Sequence, residues 1–569
     1  MAAPSYYANV NPDLLRWMPL GARRVLELGC GEAALAAAYK ARNPRAHYTA
    51  VELHGPAATV ARGRVDHLVE GDFTALDPAV FAGLAPFDLV VLGDVLEHMA
   101  DPWAVLRKLA SLMAPDAWLA ISVPNVGHWT VLAEAMAGRW PAHDSGLFDR
   151  THLRWFTLAS LGQTLNDSGF SITRARPRVF PGDRAKAETW VPILADAAER
   201  AGLARQPFVE RSQTLQNIVN ARRADAPALE PLHVHFAAIT PDFIDVRMRQ
   251  PFEALSADPA LTASWREQSL NLPDLAPDRA KVAVVQRLRL EAEMAARYVH
   301  EAHARGWIMV FELDDHPDLI GRVQRSEDVS RQLLATLQRF DAVQTSTPAL
   351  AKALDGYGGP VRVFENAVMD LPELAPRRPG PIRVFHGALN REGFTGRVAA
   401  SLGPLLATRA DVQFEVVHDR AFFQALPTAA KRFHAACGYA DYLALMAECD
   451  IVLSPLEGRP EEAFKSDVKF LEATRSGAAF VASLPVYAQS VEDGRTGLLV
   501  PEIEDWPRKL SLLIGDPDLR ARLVSAARTE VRERRMAAPQ AAQRASWYRQ
   551  LWRDRAALAD AARLRAVRS

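Results

Sequence analysis

Short apolar runs alternate with segments of helical periodicity in a first block of the chain, at about residues 20–180. The helical segments, such as Ala33–Ala41 and Trp103–Met113, lie between the apolar runs. This alternation predicts a parallel sheet flanked by helices. The predicted strands are Arg24–Leu28, Tyr48–Glu52, Phe87–Leu92 and Trp118–Val123.

The same alternation returns in a second block, residues 231–505, which the Pro-rich and charged stretch Glu365–Pro381 divides into two halves. We expect each half to be a doubly wound α/β domain. The predicted strands are His233–Ile239, Val282–Gln286, Trp307–Leu313, Ala342–Thr345, Ile382–His386, Val412–Val417, Ile451–Ser454 and Ala479–Ala482.

Two further segments show helical periodicity without predicted strands. Residues 181–230 predict a charged helical connector that closes with prolines. Residues 506–569 predict an amphipathic helical tail, in which Arg508–Arg568 holds 15 Lys/Arg against 6 Asp/Glu. This basic tail either packs on the last domain or contacts an anionic surface or lipid.

Net charge, cysteine count and the length of the apolar stretches exclude several classes of protein. The 569 residues carry a net charge of −1, which argues against nucleic acid as a partner. Three widely separated cysteines exclude a disulfide framework or a zinc module and favour a reducing compartment. Neither a signal peptide nor an apolar stretch long enough to cross a bilayer is present. We expect a cytoplasmic protein, with any membrane contact peripheral, through the basic tail, at the inner face.

A first group of motifs indicates a nucleoside cofactor. An apolar strand ends in Gly29-x-Gly31, and a second strand ends in Glu52, 21 positions after Gly31. That spacing suits an acid that binds ribose hydroxyls. Asp72 follows a third apolar run and Asp94 a fourth. A nicotinamide site is the chemical rival, but it predicts a third glycine where the chain has Ala34.

Residues 20–175 resemble the class I S-adenosylmethionine-dependent methyltransferases, through ELGCGEA, TAVELH, EGDF, FDLVVLGDVLEHMADP and NDSGFSI. The resemblance implies a Rossmann-like domain with S-adenosylmethionine as cofactor. It implies that the cofactor is contacted by Glu27, Gly29, Gly31, Glu52 and Asp72, with Asp94 lining its pocket.

Methyl transfer to oxygen needs a base near the acceptor. The candidates on this catalytic side are His128, in VPNVGHW, and Arg150 and His152, in GLFDRTHLRWFT, a segment that looks like the family's acceptor-side lid. The alternative for His152 is a structural role in which it fixes the loop by hydrogen bonds. His98 stands at a strand end and is often structural in relatives.

A second group of motifs indicates a nucleotide-sugar site. A strand leads through a loop into a helix predicted to begin at about Ser466. A helix N-terminus attracts an anion, and Lys465 and Lys469 flank it. Glu472 lies on nearly the same helix face. We expect the lysines on the phosphates and Glu472 on the ribose.

Residues 231–505 resemble the GT-B fold glycosyltransferases of the retaining family-four type, through KSDVKFLEATRSGAAFVAS and EDGRTGLLV. That family has two glutamates eight positions apart. Glu472 matches the second, and Phe464 stands at the place of the first. The departure leaves open how the sugar is held, and with it the donor and the stereochemistry.

The other side of the nucleotide site is predicted in HGALNR, where Gly387 and Arg391 could meet the diphosphate. Arg391 and Lys465 would stabilise the charge of the leaving group, so no metal is required. The acceptor is expected in 231–365, at strand ends near Arg247, Arg287 and the segment Glu312–His316.

Taken together, the sequence predicts an α/β enzyme with two transferase activities. The segments are a methyltransferase domain (1–180), a helical linker (181–230), acceptor and nucleotide-sugar domains of a GT-B pair (231–370 and 371–505) and a basic helical tail (506–569). A glycan or lipid-linked glycan would be the acceptor, as in bacterial surface polysaccharide synthesis. One alternative is an active methyltransferase with a non-catalytic glycan-binding GT-B module. Another is an assembly protein docked through its tail. Oligomeric state stays open.

Overall fold

The computed structural model describes residues 6–179, 184–240, 244–377, 379–388 and 392–568. Two compact units make up the chain: residues 1–230 with 256–260, and residues 231–255 with 261–569. The fold class predicted from the sequence is confirmed, because three largely parallel sheets are flanked by helices. No helix among the described residues combines the length and the apolar character that a membrane span requires.

The first unit is built on one seven-stranded sheet in the order β3-β2-β1-β4-β5-β7-β6. Strands β1 to β5 are parallel, and β7 runs antiparallel between β5 and β6. The strands are β1 Arg24–Leu28, β2 His47–Glu52, β3 His67–Glu70, β4 Phe87–Gly93, β5 Met113–Pro124, β6 Phe170–Arg178 and β7 Gln216–Arg223.

The helices are α1 Pro12–Trp17, α2 Ala34–Arg42, α3 Gly55–Ala61, α4 Pro102–Leu112, α5 Trp129–Met136, α6 Leu158–Asp167, α7 Arg184–Arg200 and α8 Arg205–Gln213, with 3₁₀ turns at Tyr6–Ala8, Pro78–Phe81 and Leu96–His98. In the described residues of this unit, the apolar faces of β1 to β5 pack against helices in two buried clusters, and α7 packs against α5 in a third.

The prediction that 181–230 is a helical linker is wrong for its last third, because Gln216–Arg223 is strand β7 of the first sheet. Three of its polar side chains, Asn217, Asn220 and Arg222, are buried. Asn220 donates to the carbonyl of Trp17 (3.1 Å), and the Arg222 guanidinium lies over the ring of Trp118. Pairing on both sides outweighs the low strand propensity of these residues.

The first half of the second unit has six parallel strands in the order β13-β12-β11-β10-β8-β9. The strands are β8 Leu232–Ala238, β9 Leu261–Glu267, β10 Ala280–Gln286, β11 Ile308–Leu313, β12 Ala342–Thr345 and β13 Val361–Val363. A π-helical turn, Asp245–Arg249, runs into the first helix. The helices are α9 Gln250–Ser256, α10 Ala292–Ala304, α11 Pro317–Val323, α12 Glu327–Leu337 and α13 Pro348–Ala353, with a 3₁₀ turn at Asp355–Tyr357.

The second half also has six parallel strands, in the order β16-β15-β14-β17-β18-β19. The strands are β14 Ile382–Gly387, β15 Val412–Val417, β16 Lys431–His434, β17 Ile451–Ser454, β18 Ala479–Ser483 and β19 Leu498–Val500. The helices are α14 Glu392–Ser401, α15 Gly403–Leu406, α16 Arg420–Ala425, α17 Tyr439–Ala447, α18 Val468–Ser476 and α19 Leu484–Tyr487, with 3₁₀ turns at Pro460–Phe464 and Ile503–Asp505.

The predicted tail is helical and belongs to the second unit. Its helices are α20 Trp506–Gly515, α21 Pro517–Arg534, α22 Ala537–Arg553 and α23 Arg555–Arg568. It does not pack only on the last domain: α22 and α23 return to the first half, where Tyr548 donates to Gln344 (2.7 Å) and Arg565 to the carbonyl of Phe340 (2.7 Å).

We predict that Tyr548→Phe destabilises the protein by about 1–3 kcal/mol, because it leaves the buried Gln344 carbonyl oxygen without its donor. Urea denaturation of the full chain measures this loss. The control is Arg563→Ala on α23, which removes an exposed ion pair with Asp560 and should change little. Equal unfolding midpoints for both variants and wild type would contradict the prediction.

Candidate functional site

The glycine turn after β1 is tightly packed by the chain itself. Gly29 (φ +65°) and Gly31 (φ +56°) both have left-handed backbone, which favours glycine. A Cβ at Gly29 would lie 2.7 Å from Cγ2 of Val95, and one at Gly31 would lie 2.7 Å from the backbone oxygen of Tyr7. Both positions therefore require glycine for this turn to form. Their contact with a cofactor stays a prediction.

Glu52 holds this turn in place. Its Oε2 accepts a hydrogen bond from the Gly31 N–H (2.6 Å), and its Oε1 accepts one from the His54 N–H (2.8 Å). Glu27 lies buried beside it and accepts from the Tyr48 hydroxyl (3.0 Å). The pKa of Glu27 is raised to about 8, chiefly because the side chain is buried. The hydrogen bond from Tyr48 lowers this pKa, and the negative charge of Glu52 raises it.

The structure brings the four predicted cofactor acids to one edge of the first sheet. Glu52 ends β2, Glu27 is the last but one residue of β1, Asp72 follows β3 and Asp94 follows β4, and these strands are neighbours. Asp72 is exposed and accepts from the Thr74 N–H. Ligands of open parallel sheets bind at this edge, next to the point where strand order reverses, here between β1 and β4.

Asp94 has a partner that sequence reasoning missed. Its backbone is left-handed (φ +55°), and its carboxylate accepts from Gln216 Nε2 (2.9 Å) on β7. Burial raises the pKa of Asp94, and the hydrogen bond from Gln216 opposes this. Gln216 was missed because its strand was predicted as helix.

The two candidate bases occupy different surroundings. His128 caps the N-terminus of α5, and its Nδ1 lies 2.8 Å from the Thr130 hydroxyl. Burial lowers the pKa of His128 to about 4. His152 is buried and packs edge-on against His98, with ring centres 4.9 Å apart. Burial and the neighbouring His98 lower the pKa of His152, which Asp149 opposes.

His152 also belongs to a cluster with Glu97 and His98, in which one ligand atom from each lies within 4.8 Å of the others. Glu97 is 1% exposed, and neither of its carboxylate oxygens has a hydrogen-bond partner. Burial raises the pKa of Glu97 well above its usual range. A carboxylate with two imidazoles is a ligand set for a divalent transition metal. The sequence predicted no metal site, because these residues stand 55 positions apart.

On the nucleotide-sugar side, four residues form a connected group. Lys469 Nζ donates to Glu472 (2.9 Å) and to the hydroxyl of Tyr442 (2.7 Å). A Cβ at Gly387 would lie 2.9 Å from the Tyr442 ring, so this glycine makes room for the tyrosine. Gly387 ends β14, next to β17, where strand order reverses in this sheet. Tyr442 was missed in the sequence. Arg391 lies outside the described residues.

Glu472 also borders a cavity of about 200 Å³. Tyr439 makes a side-chain hydrogen bond with Glu472. Burial raises the pKa of Tyr439 well above its usual range, and the negative charge of Glu472 raises it further. Arg249 and Arg475 also border the cavity, and each is paired with an acid of its wall, Asp245 and Asp370 respectively. No local motif marks Tyr439 or Arg249, and Arg475 lies within KSDVKFLEATRSGAAFVAS without a predicted role.

Lys465 and Ser466 face the first half of the unit and not Lys469. Lys465 Nζ lies 3.9 Å from Asp315, and the Ser466 hydroxyl accepts from Asn366 Nδ2 (2.8 Å). The helix predicted to begin at about Ser466 begins at Val468, with Asp467 at its N-cap held by Arg535. The predicted nucleotide-sugar residues thus divide into two groups.

Phe464 packs onto the hydrophobic core of the first half. Its ring stacks on His316, with centres 4.5 Å apart, and its carbonyl accepts from the Thr347 hydroxyl (3.1 Å). The nearby Glu461 pairs with Arg322, and Glu462 caps its own turn. The segment Pro460–Lys465 therefore connects the two halves of the unit.

The predicted acceptor residues are largely engaged with one another. Glu312 lies within β11 with no exposed surface and pairs with Arg247 (2.8 Å), so it does not line a cleft. Arg287 pairs with Asp314 (2.5 Å) and Asp315 (2.9 Å) at the ends of β10 and β11.

Comparison with known proteins assigns two domains. Residues 9–175 match the family model of a methyltransferase domain, and residues 380–516 match that of glycosyl transferases group 1. The family resemblances predicted from the sequence are confirmed. The chain carries a methyltransferase domain toward its N-terminus and a group 1 glycosyl transferase domain toward its C-terminus.

Individual relatives are more distant. The ubiquinone biosynthesis O-methyltransferase of Thiobacillus denitrificans is 33% identical over 126 residues, 20% of this chain and 52% of that protein. The chain spans about half the length of the curated relatives it matches. Anabaena HepE, solved with UDP-glucose, is 16% identical and aligns with 55% of this chain and 99% of its own, at a TM-score of 0.41. The magnesium protoporphyrin IX methyltransferase of Synechocystis, solved with S-adenosylhomocysteine, is 17% identical. The alignment covers 37% of this chain and 81% of the Synechocystis chain, at a TM-score of 0.26.

We predict that Zn²⁺ or Mn²⁺ raises the thermal midpoint of wild type but not of Glu97→Gln, because the carboxylate is the charged ligand of the cluster. Scanning calorimetry of the full chain after chelation and metal addition measures this. His128→Gln, a buried histidine outside the cluster, is the matched control and should keep the metal response. The same response in Glu97→Gln would contradict the prediction.

The pH dependence of folding stability, measured with a chelator present to remove metal, is a second test of Glu97. Its pKa is raised in the folded state by burial, so the folded protein binds a proton that the unfolded chain releases above pH 4.5. The stability associated with Glu97 is therefore lost as pH rises from about 4.5 toward the raised pKa. Glu97→Gln should lose less stability than wild type between pH 5 and 8. Parallel pH profiles would contradict this.

Proposed function

We propose that the chain is a bifunctional enzyme. One activity transfers a methyl group from S-adenosylmethionine to a sugar or glycan, and the other transfers a sugar from a nucleotide-diphosphate donor to a glycan acceptor. The observation that carries this proposal is that each matched domain has predicted ligand residues beside the strand-order reversal of a parallel sheet: the four acids in the first, and Gly387 with Lys469 and Glu472 in the second. Fusion of the two domains suggests one product, such as a bacterial surface polysaccharide or glycoconjugate.

In the methyl transfer, Glu52 and Glu27 would orient the cofactor from the ends of β2 and β1. An acceptor hydroxyl would attack the methyl carbon in line, so that S-adenosylhomocysteine leaves with the electron pair of the broken S–C bond, while a neutral imidazole takes the hydroxyl proton. The lowered pKa of His152 keeps its ring neutral near pH 7. His152 can act either as the base or as a metal ligand. The response of wild type and Glu97→Gln to added metal distinguishes these two roles.

In the glycosyl transfer, Glu472 would bind the ribose, and Lys469 the diphosphate. Gly387 and Ser466 would complete the nucleotide-sugar contacts. Lys465 and Arg391 would stabilise the charge that develops on the leaving diphosphate. We propose a retaining outcome on the family resemblance. A lipid-linked acceptor would bring the protein to the inner face of the membrane.

A second candidate function rests on Phe464. Where the family-four resemblance implies an acid, this chain has an aromatic ring packed on the other half of the unit. This observation favours an active methyltransferase whose group 1 domain binds glycan without turnover. Release of the nucleotide from a sugar nucleotide in the presence of acceptor separates the two, since a binding module releases none.

We predict that Gly31→Ala weakens S-adenosylhomocysteine binding at least about tenfold, because left-handed backbone costs a residue with a Cβ roughly 1–2 kcal/mol and that Cβ meets the Tyr7 backbone. Isothermal titration calorimetry measures the affinity. Gly21→Ala is the control, since nothing lies within 4 Å of a Cβ there. Failure of the wild type to bind the ligand would refute the methyl-donor site.

We predict that Lys469→Met with Glu472→Gln abolishes binding of UDP, GDP or dTDP, whichever the wild type prefers, and leaves S-adenosylhomocysteine binding intact. The double change removes the cation and the acid of the connected group together, so no lone buried charge remains. Calorimetric titration of each nucleotide tests this. Lys509→Met, which breaks an ion pair with Asp493 at the surface, is the control. Nucleotide affinity unchanged in the double variant would exclude these residues from the site.

A further inference from the structure

The second unit buries two guanidinium groups beside a single carboxylate. Arg247 and Arg544 are each 2% exposed, and Glu312 has no exposed surface. Arg247 Nε donates to one oxygen of Glu312 (2.8 Å), and Gln344 Nε2 donates to the other (2.6 Å). Glu312 therefore neutralises Arg247, and both of its oxygens are in use.

In the described part of the chain, Arg544 makes hydrogen bonds only to neutral side chains. Its Nε and Nη2 donate to the Gln540 side-chain oxygen (3.3 and 3.2 Å), and its guanidinium lies 4.2 Å from the ring centre of Phe364. A guanidinium stays protonated in a protein, and a buried charge without a counter-charge is strongly unfavourable. Glu312 acts on the charge of Arg544 as well as pairing with Arg247, so two buried positive charges share one buried negative charge.

A small cavity lies against both arginines. Its wall includes Arg247, Arg544, Gln250 and Gln540, and its volume of about 10 Å³ suits a single water or oxygen atom. Arg247 Nη2 and Arg544 Nη1 have no hydrogen-bond partner, and the cavity is not fully enclosed. Glu365 also borders the cavity, but its side chain is exposed to solvent.

The cavity adjoins the predicted donor loop. Asn366 borders it and accepts from Arg247 Nη1 (2.9 Å), and the other end of its amide donates to Ser466 (2.8 Å). Ser466 is one of the residues predicted to bind the nucleotide sugar. A group held in the cavity therefore lies one side chain away from the proposed donor site.

We propose that this cavity binds a phosphate group carried by the glycosyl acceptor, with one phosphate oxygen between the two guanidinium groups. The proposal rests on the proposed function, because it specifies the acceptor of that reaction. Arginine pairs bind phosphate through charge-assisted hydrogen bonds. The cavity accepts one oxygen, and the rest of the phosphate and its sugar or glycerol extend through the part that is not enclosed.

The test compares thermal midpoints of the full chain in sodium phosphate and in sodium chloride at equal ionic strength. Phosphate should raise the wild-type midpoint by about 2 °C or more. Arg544→Met should lose this rise. Gln250→Glu should lose it as well and be more stable than wild type in chloride, because it places a carboxylate in the cavity wall. Arg528→Met removes another buried arginine, bound to backbone carbonyls, and should keep the rise.

Three results of this comparison of thermal midpoints would overturn the proposal. The first is an unchanged wild-type midpoint, which means that the cavity holds water only. The second is an equal rise in Gln250→Glu. The third is a rise that Lys465→Ala abolishes and Arg544→Met does not, which places the phosphate at the donor site.

Titration separates free phosphate from phosphate on an acceptor. Glycerol 3-phosphate or a sugar 1-phosphate should bind at least about tenfold more tightly than inorganic phosphate, and tighter binding of the inorganic ion would overturn the acceptor assignment. Nucleotide affinity is measured on the same samples. If wild type binds phosphate through Arg544 but no nucleotide, the proposed glycosyl transfer fails while the anion site stands.

Discussion

The carboxylate of Glu312 is buried without any exposed surface, so the surrounding chain has to supply partners for its charge. Arg247 takes one oxygen and Gln344 the other. Arg247 also donates a hydrogen bond to Asn366, which lies in the link between the two halves. Gln344 accepts a hydrogen bond from Tyr548 of the C-terminal helix α22. One buried acid thus fixes the π-helical turn, two strands, the link and the tail with respect to one another. Asn366 extends this network to the loop of the proposed donor site.

Much of the fold follows from local pattern. Strands β1, β12, β15 and β17 begin and end where the apolar runs predict, because strands covered on both faces need apolar side chains throughout. Strand β7 could not be predicted this way. Its Asn220 and Arg222 are acceptable in a buried strand only because Trp17 and Trp118 meet them, and these contacts are set by tertiary packing.

The candidate sites divide in the same way. Glu52 and Asp94 could be predicted because strand ends of a parallel sheet share an edge, and the chain order of the strands is visible in the sequence. The cluster of Glu97 with His152 could not, since it depends on how a long loop folds back over a strand end. Phe464 could be identified as a departure from a family pattern, but its stacking on His316 exists only in three dimensions.

The return of α22 to the first half has a consequence for synthesis of the chain on the ribosome. Gln344 is made 204 residues before Tyr548, the residue that covers it. At roughly 5–20 residues per second, about 10–40 s separate the two during translation. During that time the first half has its strands but lacks the helix that closes its polar interior. The order of synthesis therefore makes this half the last part of the second unit to be completed, although it is the first to be translated.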